Sequence, residues 1–309
     1  MVHNIFVIIV TYNGMKWYER CFDSLYHSSI PVSIIAIDNA SSDNTVNYIR
    51  EHYPDVILIE NKENLGFGKA NNLGFRYAID HDCDYVFLLN QDTWLIDYNT
   101  IEELILIHKA HPEYGILSPM HLKSDEKELW MLWENENNLC STKLVSDLYC
   151  HTMKDVYETN YVNAAAWLLP RKTLETIGGF DPIFEHYEED DDYLNRVRFH
   201  GLKIGVCPSV RIVHDHHSDF VNPFETHSRY HHNQQLLVRM NDINKNNSIQ
   251  SSLRYLIRKT VMAFISGQFE VAKRLNADLK FIWKKRKAIR QHRRINMTSG
   301  PSWIGQDTI

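Results

Sequence analysis

The sequence predicts an α/β layered domain with a mostly parallel sheet, on the strength of three observations. Apolar runs and helix-spaced stripes alternate through the first 120 residues, as they do when strands and covering helices take turns. Several runs are short, almost wholly apolar and rich in Val, Ile and Leu, the pattern of strands covered on both faces. Each then stops at polar side chains: Thr11–Asn13 after Ile5–Val10, Asp38 and Asn39 after Val32–Ile37, and Asn90–Asp92 after Tyr85–Leu89. Ligands of open α/β sheets bind at the carboxyl ends of the strands, so chemistry is expected at these stops.

The elements follow in order. Ile5–Val10 is the first strand, and Trp17, Tyr18, Cys21, Phe22 and Leu25 recur at helical spacing after it. Pro31 closes that region, and Val32–Ile37 is the second strand. The segment ASSDN opens a helix through Val46 and Ile49 with Ser41 or Ser42 as its cap, and Pro54 ends it before the strand Val56–Ile59. Gly66 and Gly68 allow a tight turn into a helix carrying Ala70, Leu73 and Ala78. Asp84–Asp92 is the fourth strand. Thr100 with Glu103 reads as a capping box for Ile101–Ala110, and Ile116–Pro119 is a further strand.

From His121 to Glu158 the regularity fades into a smaller element or a loop over the cleft. It returns with apolar Tyr161–Leu169, and then a short helix around Leu174 and Ile177 that stops at Gly178-Gly179. Lys203–Cys207 and Val210–Val213 are strand-like, and from about Asn233 the pattern is wholly helical. The expected division is a sheet domain over residues 1–240 and a basic helical extension over residues 241–309.

Composition is ordinary for a folded protein, but charge is not evenly spread. Residues 254–294 hold 13 Lys and Arg against two acids, a net of +11, while the rest of the chain carries −17. Helices of this kind pack on a main domain, join two subunits in a homodimer, or lie along an anionic membrane surface. No recognised nucleic-acid module accompanies the basic end, and no nucleic acid partner is expected. Five scattered cysteines without a CxxC point to reduced thiols in a cytosolic protein. The first residues read as a strand, not a signal peptide, and no segment has the apolar length of a membrane span.

The densest acidic site is Glu188, Glu189, Asp190, Asp191 and Asp192, at the start of a helix. The helix N-terminus offsets part of the mutual repulsion. The run is either a solvated helix start or the source of a general base, because crowded carboxylates have raised pKa values. Asp92, at the end of a central strand, suits a hard cation and a phosphate held through it. His214 closes Val210–Val213 and is a second candidate ligand. A zinc site at His214, His216 and His217 lacks the HExxH spacing. Asp38 and Asn39 suit the edge of a base or ribose. Lys69, in the Gly66–Gly74 segment, supplies a point charge beside a phosphate-facing loop, while GxGxxG and Walker A loops are absent.

Taken together, VTYN (Val10–Asn13), IDNASSD (Ile37–Asp43), NLGFGKANNLG (Asn64–Gly74), LLNQDT (Leu88–Thr93), GGFDPIFEHYEEDDD (Gly178–Asp192) and IVHDHH (Ile212–His217) resemble the inverting family-2 glycosyltransferases of the GT-A fold. The resemblance covers roughly residues 3–240 and is nearest the bacterial rhamnosyltransferase-like branch, which builds O-antigen, capsule or other surface polysaccharide. It implies that Thr11 and Asn13 line the nucleotide pocket, that Asp38 bonds the pyrimidine base, and that Asn64 and Lys69 lie near the diphosphate. Asp92 matches the last acid of the DxD-type metal motif. Asn90 replaces the first acid, is grouped with the nucleotide-binding residues, and shifts the cation onto other ligands. His214 matches a histidine that completes the metal shell. In the ED pair, Glu189-Asp190, the aspartate is the general base, with Asp191 and Asp192 one or two residues away. Asp192 also matches an acid of that helix and joins the candidate acceptor contacts.

The mechanism this implies uses Mg²⁺ or Mn²⁺ on the diphosphate and Asp190 to deprotonate an acceptor sugar hydroxyl, inverting the anomeric centre. Trp130, Trp133 and Trp167 are candidates for stacking on acceptor sugars, and each suits core packing equally well. The resemblance favours dTDP-rhamnose as donor, with UDP- and GDP-sugars open. It implies a lipid-linked oligosaccharide acceptor at the inner face of the plasma membrane, reached through peripheral contact by the basic helices. The alternatives are a sugar-phosphate nucleotidyltransferase and a catalytically silent sugar-binding or scaffold subunit.

Overall fold

Among the described residues, nine strands form one mixed sheet. The computed structural model describes residues 3–130, 142–215, 229–245 and 249–305; Trp133, His216 and His217 fall outside them. The strands are β1 (Ile5–Thr11), β2 (Ser33–Asp38), β3 (Ile57–Glu60), β4 (Tyr85–Leu89), β5 (Thr93–Leu95), β6 (Tyr114–Leu122), β7 (Tyr157–Glu158), β8 (Ala166–Pro170) and β9 (Lys203–His214). Between and after them lie the helices α1 (Tyr18–Tyr26), α2 (Thr45–His52), α3 (Phe67–Asp80), α4 (Thr100–Ala110) and α5 (Leu144–Tyr149). The later helices are α6 (Arg171–Ile177), α7 (Glu189–Phe199), α8 (Arg229–Asn241), α9 (Ile249–Ile265) and α10 (Phe269–Asn296).

The strand order is β3-β2-β1-β4-β8-β6-β9-β5, with β7 on β9. From β3 to β4 every pairing is parallel. Beyond β4 only β6 and β9 pair in parallel, and β8, β5 and β7 run antiparallel to their neighbours. The chain leaves β1 outward through β2 and β3 and returns on the other side at β4, so the crevice between the ends of β1 and β4 is a topological switch point.

Alternate side chains face opposite ways along a strand, and the two faces bury two cores. Phe6, Ile8, Val86 and Leu88 face α3, α6 and α7. Ile5, Val7, Ile9, Phe87 and Leu89 face α1, α2 and α4. A third cluster joins Ile183 and Phe184 to α8, α9 and α10.

Several local expectations shift. Neither Ser41 nor Ser42 caps α2: Asn44 holds the N-cap position, and the Thr45 N–H donates to Asp43 Oδ1 at 3.0 Å. The capping box at Thr100 does not form either. Asn99 is the N-cap residue, its side chain donates to Glu103 at 2.6 Å, and Thr100 Oγ1 donates to the Asp97 carbonyl. Lys203–Cys207 and Val210–Val213 are one strand, because β6 pairs along both pieces across a register shift at Pro119/Met120. The stop at Gly178 holds: it follows α6 with φ +80°.

The C-terminal helices share buried polar contacts with the sheet domain. Asp181, just after the glycine pair, accepts at Oδ1 from His292 of α10 and at Oδ2 from Asn241 of α8 (3.1 Å) and Asn296 of α10 (2.7 Å). Residues beyond α10 return to the sheet domain, where the Gly179 N–H donates to the Ser302 carbonyl at 2.7 Å.

Candidate active site

At the ends of β1 and β2, polar side chains build a bracket from their own loop. Asp38 is buried, and its carboxylate accepts from Thr11 Oγ1 at 3.3 Å, from the Ser41 N–H at 3.0 Å and from the Ser41 hydroxyl. Asn13 takes φ +49°, and its Oδ1 accepts from the Ser42 N–H at 2.8 Å and the Asp43 N–H at 3.3 Å. Asn39 ties the end of β2 to the next loop, donating to the Gly66 carbonyl and accepting from Asn61 at 3.0 Å. Asn64 Oδ1 accepts from the Gly66 N–H at 2.9 Å and so shapes the entry to α3, whose first turn carries Lys69.

Gly66 and Gly68 belong to a close approach as much as to a turn. A Cβ on Gly66 would lie 2.4 Å from the Glu185 carbonyl oxygen, and one on Gly68 would lie 2.9 Å from Phe180 Cβ. The start of α3 therefore touches the segment leading to the acidic helix, which sequence spacing alone does not reveal.

The ends of β4 and β9 bring Asp92 and His214 together. Thr93 and His214 are register partners, the Asp215 N–H donates to the Asp92 carbonyl at 2.9 Å, and Asp92 Oδ1 lies 3.5 Å from His214 Nε2. Trp130 packs over the His214 ring at 5.4 Å between centroids, with His121 behind it at 5.8 Å. Burial, and then the neighbouring His214, push the His121 pKa well below its ordinary value, so His121 stays neutral. Two latches hold the rim. Gln91 exchanges hydrogen bonds with the backbone of Tyr12, and Asp215 accepts from Trp17 Nε1 at 2.8 Å and Lys16 Nζ at 3.2 Å. Burial would raise the Asp215 pKa, but these donors hold it below its ordinary value.

Asp92 and His214 supply a hard oxygen and an imidazole nitrogen, a donor pair that suits Mn²⁺ and tolerates Mg²⁺. Among the described residues no group of three or more His, Cys, Asp or Glu side chains is disposed to hold a metal ion. A cation here fits only if diphosphate oxygens and water complete its shell, as is usual where a metal bridges protein and phosphate.

A cleft of about 670 Å³ runs from His214 to the acidic helix, lined among others by Asn90, Trp130, Tyr161, Glu189, Asp190 and His214. Thr11, Asn13, Asp38, Asn64, Lys69 and Asp92 do not line it. Tyr187 and Glu188 enter α7 in left-handed conformations, φ +67° and +68°. Such backbone costs about 1–3 kcal/mol per residue and clusters at functional sites.

The acids that follow diverge. With 3.6 residues per turn, consecutive helical side chains point about 100° apart. Asp190 faces the cleft, where its Oδ2 accepts from the Tyr161 hydroxyl at 3.1 Å. Burial pushes its pKa up, although the Asp191 N–H and Tyr161 donate to it and favour the charged form. Glu189 also lines the cleft but is buried, and its Oε2 has no hydrogen-bond partner among the described residues. Burial first, and the Asp190 and Glu188 charges next, raise its pKa to about 8.

That shift carries a stability prediction. Folded Glu189 holds its proton more tightly than the unfolded chain does, so stability falls as pH rises between 4.5 and about 8. Glu189→Gln, a mimic of the neutral acid, should flatten the decline of Tm across that window. Equal slopes for the two proteins in pH-resolved thermal melts would refute it.

Two expected acceptor contacts are corrected. Trp167 on β8 is wholly buried between Phe180 and Tyr193 and offers no face to a sugar. Asp192 points inward, where Arg196 Nε donates to it at 2.9 Å and Asn241 at 2.7 Å. The Arg196 guanidinium also donates to the carbonyls of Ile177 and Gly179 and is fully buried. Trp130 does line the cleft, while Trp133 lies outside the described residues. Tyr161, His186, Tyr187, His231 and Gln235 line it too; His186 and Tyr187 fall within the Gly178–Asp192 motif, and no motif contains the other three.

A family model described as glycosyl transferase family 2 matches residues 6–166. The hexosyltransferase Agl10 of low-salt glycan biosynthesis in Haloferax volcanii is 27% identical over 220 residues, covering 70% of this chain and 68% of its own. An N-acetylglucosaminyl-diphospho-decaprenol L-rhamnosyltransferase of Mycobacterium tuberculosis is 26% identical over 255 residues, 73% of this chain and 80% of its own. Among solved structures, the mannosyltransferase PcManGT of Pyrobaculum calidifontis, in complex with GDP-Man and Mn²⁺, has a TM-score of 0.56 at 17% identity, covering 96% of this chain and 86% of its own. That likeness is one of fold, the α/β GT-A architecture. The matched span runs from β1 to the first residue of β8 and takes in the bracket, the start of α3 and Asp92; with just over half of the sequence inside it, the chain belongs to glycosyl transferase family 2.

Proposed function

We propose that this glycosyltransferase moves a sugar, rhamnose being favoured, from a nucleoside diphosphate to an acceptor sugar hydroxyl, with inversion, in cell-surface polysaccharide synthesis. The observation that carries the reading is the Asp190 carboxylate in one cleft with His214, beside Asp92. The acceptor oxygen attacks the anomeric carbon from the face opposite the diphosphate. The new carbon–oxygen bond forms as the bond to the diphosphate breaks, and the hydroxyl proton passes to Asp190. A well-placed base contributes on the order of 10²–10⁴-fold. Tyr161 keeps the Asp190 carboxylate turned into the cleft.

A divalent cation, Mn²⁺ or Mg²⁺, would be held by Asp92 and His214. When bound it supplies charge neutralisation on the departing diphosphate. The names of the mycobacterial relative and of an O-antigen chain rhamnosyltransferase from Salmonella anatum support rhamnose as the sugar and a lipid-linked acceptor, and that of a dTDP-rhamnosyl transferase from Shigella flexneri supports dTDP-rhamnose as donor. A lipid-linked acceptor implies work at the cytoplasmic face of a membrane, and no described helix is long and apolar enough to cross one.

Binding of dTDP, UDP and GDP with and without Mn²⁺ tests the donor half. Metal-dependent binding of one nucleotide should fall by at least about 10-fold in Asp92→Ala, the order expected on losing a metal ligand. Metal-independent binding, or an unchanged Asp92→Ala, would remove Asp92 from the cation site. The anomeric configuration of the product, read by NMR, tests inversion.

A further inference from the structure

We infer that the end of the α9–α10 hairpin is a docking surface for an acidic-phospholipid bilayer, with its apolar tip among the acyl chains and its cations among the headgroups. The inference rests on the reading that the acceptor is lipid-linked. It goes further by naming the surface.

The base and the tip of the hairpin differ in burial. Leu253 and Leu256 of α9 and Ile282 and Ile289 of α10 belong to the cluster shared with α8, Ile183 and Phe184. Past Leu256 that packing stops. In the last turns of α9 and the first of α10, Ala263 and Ala272 are buried where the two helices meet. Around them Val261, Phe264, Ile265 and Phe269 are exposed, Ile265 at 75% and Phe264 at 63%. Gly267, at φ +72°, turns the chain between the helices, with the Gly267 N–H on the Phe264 carbonyl and the Gln268 N–H on that of Ala263.

The charges choose the occupant. Arg258, Lys259, Lys273 and Arg274 are all exposed and lie below this tip. At about 1.5 Å per residue, Lys259 sits roughly 9 Å below the end of α9 and Lys273 roughly 6 Å below the start of α10. That matches the roughly 5–10 Å depth to which amphipathic elements bury in the boundary between acyl chains and headgroups. Of the two acids in residues 254–294, Asp278 is buried and taken by Arg229 at 2.7 Å and His232 at 3.0 Å. Only Glu270 remains near the tip, exposed among the cations. An exposed apolar end ringed by cations matches a fluid anionic surface. The base of the same hairpin packs on α8, whose Gln235 lines the cleft, so docking by the tip holds the cleft at a set height over the bilayer.

Vesicle flotation tests the surface without reference to catalysis. The full chain should bind vesicles of equal parts phosphatidylglycerol and phosphatidylcholine and should not bind pure phosphatidylcholine. Phe264→Ser with Ile265→Ser, and separately Lys259→Glu with Lys273→Glu, should each weaken binding by at least about tenfold. Transfer to a water-soluble acceptor should be unchanged in both variants. If only the soluble-acceptor assay fails, in wild type and variants alike, the transferase reading falls and the docking surface stands. Equal binding to neutral vesicles, undiminished binding by either variant, or a dimer that Phe264→Ser with Ile265→Ser dissociates would overturn the inference, the last by making a second copy the occupant.

Discussion

Asp190→Asn is expected to lower kcat by about 10²–10⁴-fold and to leave nucleotide-diphosphate binding within a factor of two or so. The amide keeps the size of the side chain and can still meet the Tyr161 hydroxyl, but it cannot accept the acceptor's proton. On the proposed mechanism the same residue should set the acid limb of the pH–rate profile. Burial raises the Asp190 pKa, so activity should fall with decreasing pH at a point above the ordinary carboxylate range. Tyr161→Phe removes a donor that favours the charged form and should move that limb upward. Steady-state kinetics on both variants, with Tm as a folding control, check this. An Asp190→Asn enzyme with near wild-type kcat would transfer the base assignment to another carboxylate of the cleft.

Asp181→Ala should cost about 3–5 kcal/mol of stability, the range for breaking a buried charge cluster by removing one partner. Asp181 is almost inaccessible, and it gathers His292, Asn241 and Asn296 from two helices onto one carboxylate. Burial alone would raise its pKa, but His292 and then Arg196 hold it below its ordinary value. Its contribution is therefore complete above the unfolded carboxylate value and is lost as pH falls through the depressed folded value. His292→Ala should destabilise in the same direction by less, because the two asparagines and the Ile183 N–H still donate to Asp181. Chemical denaturation of the two variants measures both effects, and a loss below about 1 kcal/mol for Asp181→Ala, the size of a single ordinary hydrogen bond, would show that the cluster does not hold the helices to the sheet domain.

Much of the parallel half of the sheet was legible in the sequence, and particular residues show why. Ile5–Val10 and Tyr85–Leu89 are unbroken apolar runs, and Val32–Ile37 is interrupted only by Ser33; all three have abrupt polar ends. Burial on both faces leaves that trace in consecutive residues, and the strands fall within a residue or so of the runs. The Gly178 stop after α6 could be read for the same reason, because a left-handed C-terminal residue is a local requirement. Motif order likewise pointed to Asp92 and His214, which the β5–β9 register brings side by side, and to Asp190, which shares the cleft with His214.

Other features were settled by partners distant in the chain. Five successive acids look equivalent in sequence, yet Glu188, Glu189, Asp190 and Asp191 line the cleft, Asp190 held there by Tyr161, while Asp192 turns inward to Arg196 and Asn241. Trp167 is core because Phe180 and Tyr193 close on it, and Gly68 is small because Phe180 passes over it. The capping residues of α2 and α4 moved because Ser41 serves Asp38, and Thr100 Oγ1 donates to the carbonyl of Asp97. By itself, the sequence determined the strands of the parallel half, the helical end and the kinds of chemistry available, since apolar periodicity and residue type are local properties. Only the tertiary structure decided which carboxylates meet the cleft and which one is spent in the core, since both burial and hydrogen-bond partners come from residues far along the chain.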